Sequence, residues 1–180
     1  PLSQEEKSTI KRKVQSACIS KGLDYNLVCA LIETESGFRH NVVSKKGAIG
    51  LMQLIPETAK RFGAKNAWNL EENIEAGTSF LSFLFDFFNN NIPLVLAGYN
   101  AGENAVLKYN NKIPPYSETV RYVFRILEKY GKRIFLRYFN EFTGYFSCRY
   151  DDANSNCAYV RAFLRVYVQP FRYFLHLLYT

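Results

Sequence analysis

Residues 24–38 read Asp24-Tyr25-Asn26-Leu27-Val28-Cys29-Ala30-Leu31-Ile32-Glu33-Thr34-Glu35-Ser36-Gly37-Phe38. Asp24 is a good N-cap, because its short carboxylate can accept the free N–H groups of a first helical turn. A helix is therefore expected from about Tyr25 to Ser36. Val28, Leu31 and Ile32 are spaced by three and four, and Glu35 is the next position on that stripe. Glu35 should face the core side at the last turn. Glu33, roughly 200° away around the helix, should face solvent. An acid against an apolar wall has its pKa raised, since desolvation disfavours the charged form. Such a group can hold a proton near neutral pH and act as a general acid. The plainer alternative is a glutamate at a frayed helix end.

The pattern on either side is also mostly helical. One helix is expected over about residues 4–20 and a long one over about 72–90. The long one carries Ile74, Gly77, Leu81, Leu84, Phe85 and Phe88 at spacings of three and four. Phe83 and Phe87 lie off that stripe, which predicts burial on more than one side and a central place in the fold. Gly77 costs about 1 kcal/mol against alanine in a helix interior, a cost that close helix packing would justify. Ser117 caps a further helix to about Tyr130, with Val120, Val123, Phe124 and Leu127 on one face. Between these elements, residues 47–54 read as extended chain with glycine turns, a small hairpin. Pro56 opens a short helix that ends before Gly63.

A chain of 180 residues suffices for one ordinary domain and a small appendage, and 48% hydrophobic residues exclude global disorder. No run of about 18 apolar residues suggests a membrane span. A net charge of +7 favours an anionic partner, without choosing among nucleic acid, acidic lipid and a carboxylate-rich cell wall. The chain opens at Pro1 with no basic-then-apolar leader, which leaves open whether an export signal preceded it. Composition shifts near Gly131. Beyond Lys132 every basic residue is arginine and aromatics are dense, so the chain divides into 1–131 and a C-terminal segment, 132–180. Arg161, Arg165 and Arg172 there suit either a basic amphipathic surface for a membrane or envelope partner, or a segment packed back on the domain. Two histidines and four cysteines match no zinc spacing, and Asp152–Asn156 lacks the glycine and glutamate of a calcium loop, so no metal or cofactor is expected. Cys18 and Cys29 suit either two small buried side chains or a disulfide between neighbouring helices; Cys148 and Cys157 allow a small closed loop.

Four groups of residues change the weight of Glu35. They are Glu35-Ser36-Gly37-Phe38; Ser44 through Gly47-Ala48 with Gly50-Leu51-Met52-Gln53 and Pro56-Glu57-Thr58-Ala59; Ala97-Gly98-Tyr99-Asn100-Ala101-Gly102; and Pro115-Tyr116-Ser117-Glu118-Thr119 with Tyr122-Val123. Asn73-Ile74-Glu75-Ala76-Gly77 followed by Phe80-Leu81 lies among them. Together they resemble the soluble-lytic-transglycosylase (SLT) family, in its motif order, over residues from about 8 to 130. Gly98 stands where that family usually has alanine, and Glu103-Asn104 where Pro-Gly is common; both depart beside Tyr99.

The resemblance implies a mainly α, lysozyme-like (α+β) domain with a substrate groove and a small β-hairpin. It implies a catalytic acid and base in Glu35, a hydrogen bond from Tyr99 that positions it, and sugar subsites lined by Ser44, Met52, Gln53, Asn100 and Glu118. Each has a plain alternative: turn or core filler for Met52 and Gln53, packing for Tyr99, and helix-start electrostatics for Glu118 and Glu57. The implied activity is cleavage between N-acetylmuramic acid and N-acetylglucosamine without water, leaving 1,6-anhydro ends. The implied partner is peptidoglycan rather than nucleic acid, in the periplasm or elsewhere outside the cytoplasm. A lysozyme-like hydrolase, with Glu118 or Asp86 activating water, and a glycan-binding envelope component without turnover are the competing readings.

Overall fold

The computed structural model describes residues 3–143, with side chains through Arg133. Seven helices follow in order: α1 (Gln4–Lys21), α2 (Tyr25–Glu35), α3 (Pro56–Arg61), α4 (Leu70–Phe87), α5 (Ile92–Ala101), α6 (Glu103–Lys108) and α7 (Ser117–Thr143). The described residues through Phe139 form one compact unit. The expectations for Cys148, Cys157, the Asp152–Asn156 segment, Arg161, Arg165 and Arg172 lie outside the described residues.

Local chemistry sets the helix starts. Ser3 and Glu6 form a reciprocal capping box at α1. Asp24 Oδ1 accepts from Asn26 N at 2.7 Å and Leu27 N at 3.3 Å, as the N-cap reading of α2 required. Asn69 and Asn91 cap α4 and α5 in the same way. The burial of α2 exceeds one stripe: Leu27 through Ile32 are all buried, so α2 is the enclosed helix of the fold. α4 is buried on several faces as expected, against α1, α3 and α5. Its Phe87, however, remains 40% exposed. Cys18 and Cys29 are buried free thiols in the adjacent helices α1 and α2.

The expected hairpin is reduced to two isolated antiparallel bridges, Val43 with Ile49 and Ile49 with Leu54. What holds this ribbon is Asn73 of α4. Its Oδ1 accepts from Met52 N at 2.8 Å, and its Nδ2 donates to Ile49 O at 3.0 Å and Ala67 O at 2.9 Å. Asn73 is buried, and its bonds give Met52 N and Ala67 O their partners, while Ile49 O also accepts from Leu54 N at 3.0 Å. Asn73→Ala should cost about 2–4 kcal/mol, chiefly by stranding buried backbone donors and acceptors. Urea unfolding monitored by circular dichroism checks this; a loss below about 0.5 kcal/mol would contradict it.

Gly77 answers to a side chain rather than a neighbouring helix. A Cβ there would lie 2.4 Å from Met52 Sδ. Gly98 is explained similarly, since a Cβ would lie 2.7 Å from Phe88 Cε2; the large Phe88 occupies the space an alanine would need.

The helix expected to stop at Gly131 continues to Thr143, so the expected boundary falls inside α7. Gly131 carries no left-handed φ, the conformation that would have ended the helix, and Lys132 and Arg133 continue it. The buried face of α7 is Thr119, Tyr122, Val123, Ile126 and Leu127; Val120 and Phe124 are only half-buried. Among the described residues no helix is long and apolar enough to cross a membrane.

Candidate active site

Glu35 is the last residue of α2, where the helix gives way to the turn at Gly37 and Phe38. The residue as a whole is half-buried, yet its carboxyl is closed in by protein. Desolvation pushes its pKa up to about 7, opposed by a hydrogen bond from Tyr122 and assisted by the negative charge of Glu118. The carboxyl is therefore about half protonated near neutrality, as a general acid there requires.

The hydrogen bond on Glu35 does not come from Tyr99. Tyr122, from the first turns of α7, donates its hydroxyl to Glu35 Oε1 at 2.5 Å. Tyr99 donates instead to the carbonyl oxygen of Met52 at 2.9 Å and stacks on Phe80 with ring centroids 5.0 Å apart. Both phenols are buried, and burial together with the Glu35 charge keeps both well above the ordinary tyrosine pKa. They stay protonated and act as donors. Tyr99 is near enough for Glu35 to feel, but its one proton is committed to the ribbon.

Tyr122 could have been found from the sequence. It lies on the same helical face as Val123 and Ile126, and a phenol directed into a core needs a buried acceptor. Choosing Val120 and Phe124 for that face hid it.

The expected sugar contacts divide. Met52 is fully buried with its side chain against Gly77, so what it offers at the site is its backbone carbonyl. Ser44 is exposed but its Oγ accepts from Lys46 N and Ala48 N, the work of a turn. Gln53 adopts a left-handed φ of 49° and donates Nε2 to Gly50 O at 2.8 Å and to Val42 O at 3.3 Å, which closes the turn and leaves Oε1 without a partner among the described residues. Asn100 Oδ1 accepts from the buried Thr119 hydroxyl at 2.8 Å, tying the end of α5 to the start of α7. Glu118 is exposed and paired with Lys46 at 2.5 Å, so Lys46 and Glu118 link the ribbon to α7. An exposed pair of that kind contributes little stability.

Among the described residues no second carboxylate bonds to Glu35. Glu118 acts on it through charge, and Asp86 is exposed on α4. Glu33 does not simply face water. Lys129 Nζ reaches its Oε1 and Arg133 Nη2 its Oε2, each at 2.6 Å, and these cations hold it below the usual carboxylate range. A cavity of about 510 Å³ lies elsewhere, between α3 and residues 63–68, with Lys60, Lys65 and Trp68 in its wall. Glu35 is not part of its lining. Among the described residues no cluster of histidine, cysteine and carboxylate could hold a metal.

The transglycosylase SLT domain family matches residues 13–118, more than half of the chain and three of the four motif groups, with the fourth beginning at its end. The chain belongs to the SLT domain family. A membrane-bound lytic murein transglycosylase C of Glaesserella parasuis is 36% identical over 105 residues, covering 48% of this chain and 29% of the relative. A transglycosylase of Enterobacteria phage PRD1 is 35% identical over 91 residues, covering 51% of this chain and 34% of the phage protein. The 70 kDa soluble lytic transglycosylase of Escherichia coli superposes with a TM-score of 0.64 at 28% identity, over 77% of this chain and 25% of that one. An inactive mutant of the Pseudomonas aeruginosa lytic transglycosylase Slt superposes at 0.61 with 29% identity, over 68% of this chain and 24% of that one. This SLT domain chain thus spans about a third or less of these relatives. The lysozyme-like, mainly helical fold expected from the motifs is the one these neighbours share.

Proposed function

We propose that this SLT domain cleaves the β-1,4 bond between N-acetylmuramic acid and N-acetylglucosamine in peptidoglycan without water, leaving 1,6-anhydro ends. The observation that carries the reading is Glu35: one desolvated carboxyl, pushed up to about 7, held by a tyrosine hydroxyl and, among the described residues, bonded to no other carboxylate. Most glycosidases set two carboxylates about 5 Å or about 6.5–9.5 Å apart across the bond. A single acid suits a reaction in which the substrate supplies its own nucleophile.

Protonated Glu35 gives its proton to the bridging oxygen as the bond from that oxygen to the muramoyl C1 breaks. The substrate's acetamido group stabilises the positive C1. The Glu35 carboxylate, with Tyr122 donating to it, then takes the proton from the muramoyl C6 hydroxyl, whose oxygen closes on C1. One C–O bond is exchanged for another, and Glu35 ends protonated. Gln53 Oε1 and Asn100 are the polar groups best placed to meet the acetamido sugars, and Tyr99 acts through the Met52 carbonyl. A peptidoglycan substrate implies work outside the cytoplasm, consistent with relatives named as membrane-bound murein enzymes. The catalytic unit proposed here is the compact region through Phe139 rather than one ending at Gly131.

The reaction starts from the protonated acid, so turnover should fall as pH rises through about 7 and Glu35 loses its proton. Well above that value the fall should approach tenfold per pH unit. Initial rates on soluble glycan strands from pH 5 to 9 test this. A rate that instead rises through pH 7 to a plateau would show that the essential group must be ionised at the outset.

A further inference from the structure

We propose that Glu33 is a positioning residue: held between Lys129 and Arg133, it fixes the register of α7 on α2 that presents the Tyr122 hydroxyl to Glu35. The proposal rests on the roles given above to Glu35 and Tyr122, and goes beyond them to a carboxylate that takes no part in the chemistry.

Tyr122, Lys129 and Arg133 are separated by seven and eleven residues, which returns each to within about 20° of one line along α7. Tyr122 reaches Glu35 at the end of α2, and Lys129 and Arg133 reach Glu33. Tyr130, one residue off the line, donates to Asp24 Oδ2 at 2.8 Å at the helix start. Glu33 and Glu35 leave α2 about 200° apart, yet both end on α7. Two side chains of the last turn of α2 are therefore held by α7. Each Glu33 oxygen has its own cation, so the clamp defines position along α7 as well as contact with it.

Apolar burial of Val123, Ile126 and Leu127 attaches α7 to the domain, but such packing is less exacting than a hydrogen bond. A slip of one residue along α7 moves a side chain by about 1.5 Å and turns it by about 100°. Either displacement takes the Tyr122 hydroxyl away from Glu35. The three clamp side chains are each about one-third exposed, so their contribution to overall stability is small and their effect is mainly on placement.

The test is a double-mutant cycle on the full chain, assayed on soluble glycan strands from pH 5 to 9. Glu33→Gln should lower kcat roughly 3–10-fold with KM unchanged, since small misplacements of catalytic groups are costly. It should also move the descending pH limb upward, the direction given by Tyr122→Phe, because Glu35 loses its donor. The groups facing Glu35 in that profile are Tyr122, Tyr99 and Glu118. In the Tyr122→Phe background Glu33→Gln should cost less than about twofold more, because the hydroxyl it positions is gone. Glu33→Lys combined with Lys129→Glu and Arg133→Glu should recover most of the lost kcat. If Glu33→Gln does not fold, Arg133→Gln keeps the Lys129 contact and should show the same pattern more weakly. Additive losses in the Tyr122→Phe background, or an unmoved pH limb, would overturn the clamp while leaving Tyr122 in its role. Normal turnover by Tyr122→Phe would instead remove the reading on which the clamp rests.

Discussion

Glu35→Gln is expected to abolish clearance of purified cell walls, with a loss of at least roughly 10²–10⁴-fold in turnover and binding to sacculi retained. Glutamine keeps the size of the side chain and can still meet Tyr122, but it has no proton to give at the pH of the reaction. The variant should fold at least as well as the parent. Burial raises the Glu35 pKa above its unfolded value, so folding must bear the cost of a desolvated acid once pH exceeds that unfolded value. That disadvantage is absent below about pH 4.5 and complete above about pH 7, and glutamine escapes it. Near-normal clearance by Glu35→Gln would end the assignment of this residue.

Tyr122→Phe should be the next most damaging single change. It removes one hydroxyl and leaves the ring in place. A hydrogen bond to a charged group is worth about 1.5–3 kcal/mol, or roughly 10–100-fold in rate if it is needed at the transition state. The sign of the pH effect is fixed by the geometry. Tyr122 donates to the Glu35 carboxylate and so lowers its pKa; without it burial acts unopposed and the pKa rises. The descending limb should therefore move to higher pH while kcat falls at every pH below it. Tyr99→Phe is the useful contrast. Its hydroxyl serves the Met52 carbonyl, so that variant should lose stability of about 1 kcal/mol and shift the pH limb far less. Equal pH limbs for the parent and Tyr122→Phe would contradict the donor role.

What the sequence made legible follows from how local each signal is. The Asp24 cap and the direction of Glu35 depend on neighbours within a few residues and both hold in the fold, while burial along α2 extends beyond the stripe. The glycines of residues 47–54 suggest a hairpin because glycines mark reversals, but nothing local announces that Asn73 will supply hydrogen bonds from α4. Glu33 was expected in water because its helical angle was known and its partners, about a hundred residues away, were not. Gly131 resembled a helix end by residue type alone, whereas only its φ decides, and that φ is not left-handed. Tyr99 and Tyr122 both belong to recognisable motifs. Which one reaches Glu35 depends on the relative placement of α5 and α7, a property of the packed domain.

The central claim is that one buried acid works on a nucleophile the substrate provides. The mass of the product tests it most directly. Peptidoglycan digested by this protein, left unreduced and analysed by mass spectrometry, should yield muropeptides ending in 1,6-anhydro-N-acetylmuramic acid. These lack one water, about 18 Da, relative to the products of hydrolysis. Products with ordinary reducing ends would contradict the account: water would then be the nucleophile, and Glu118, whose charge already reaches Glu35, would become the base to remove.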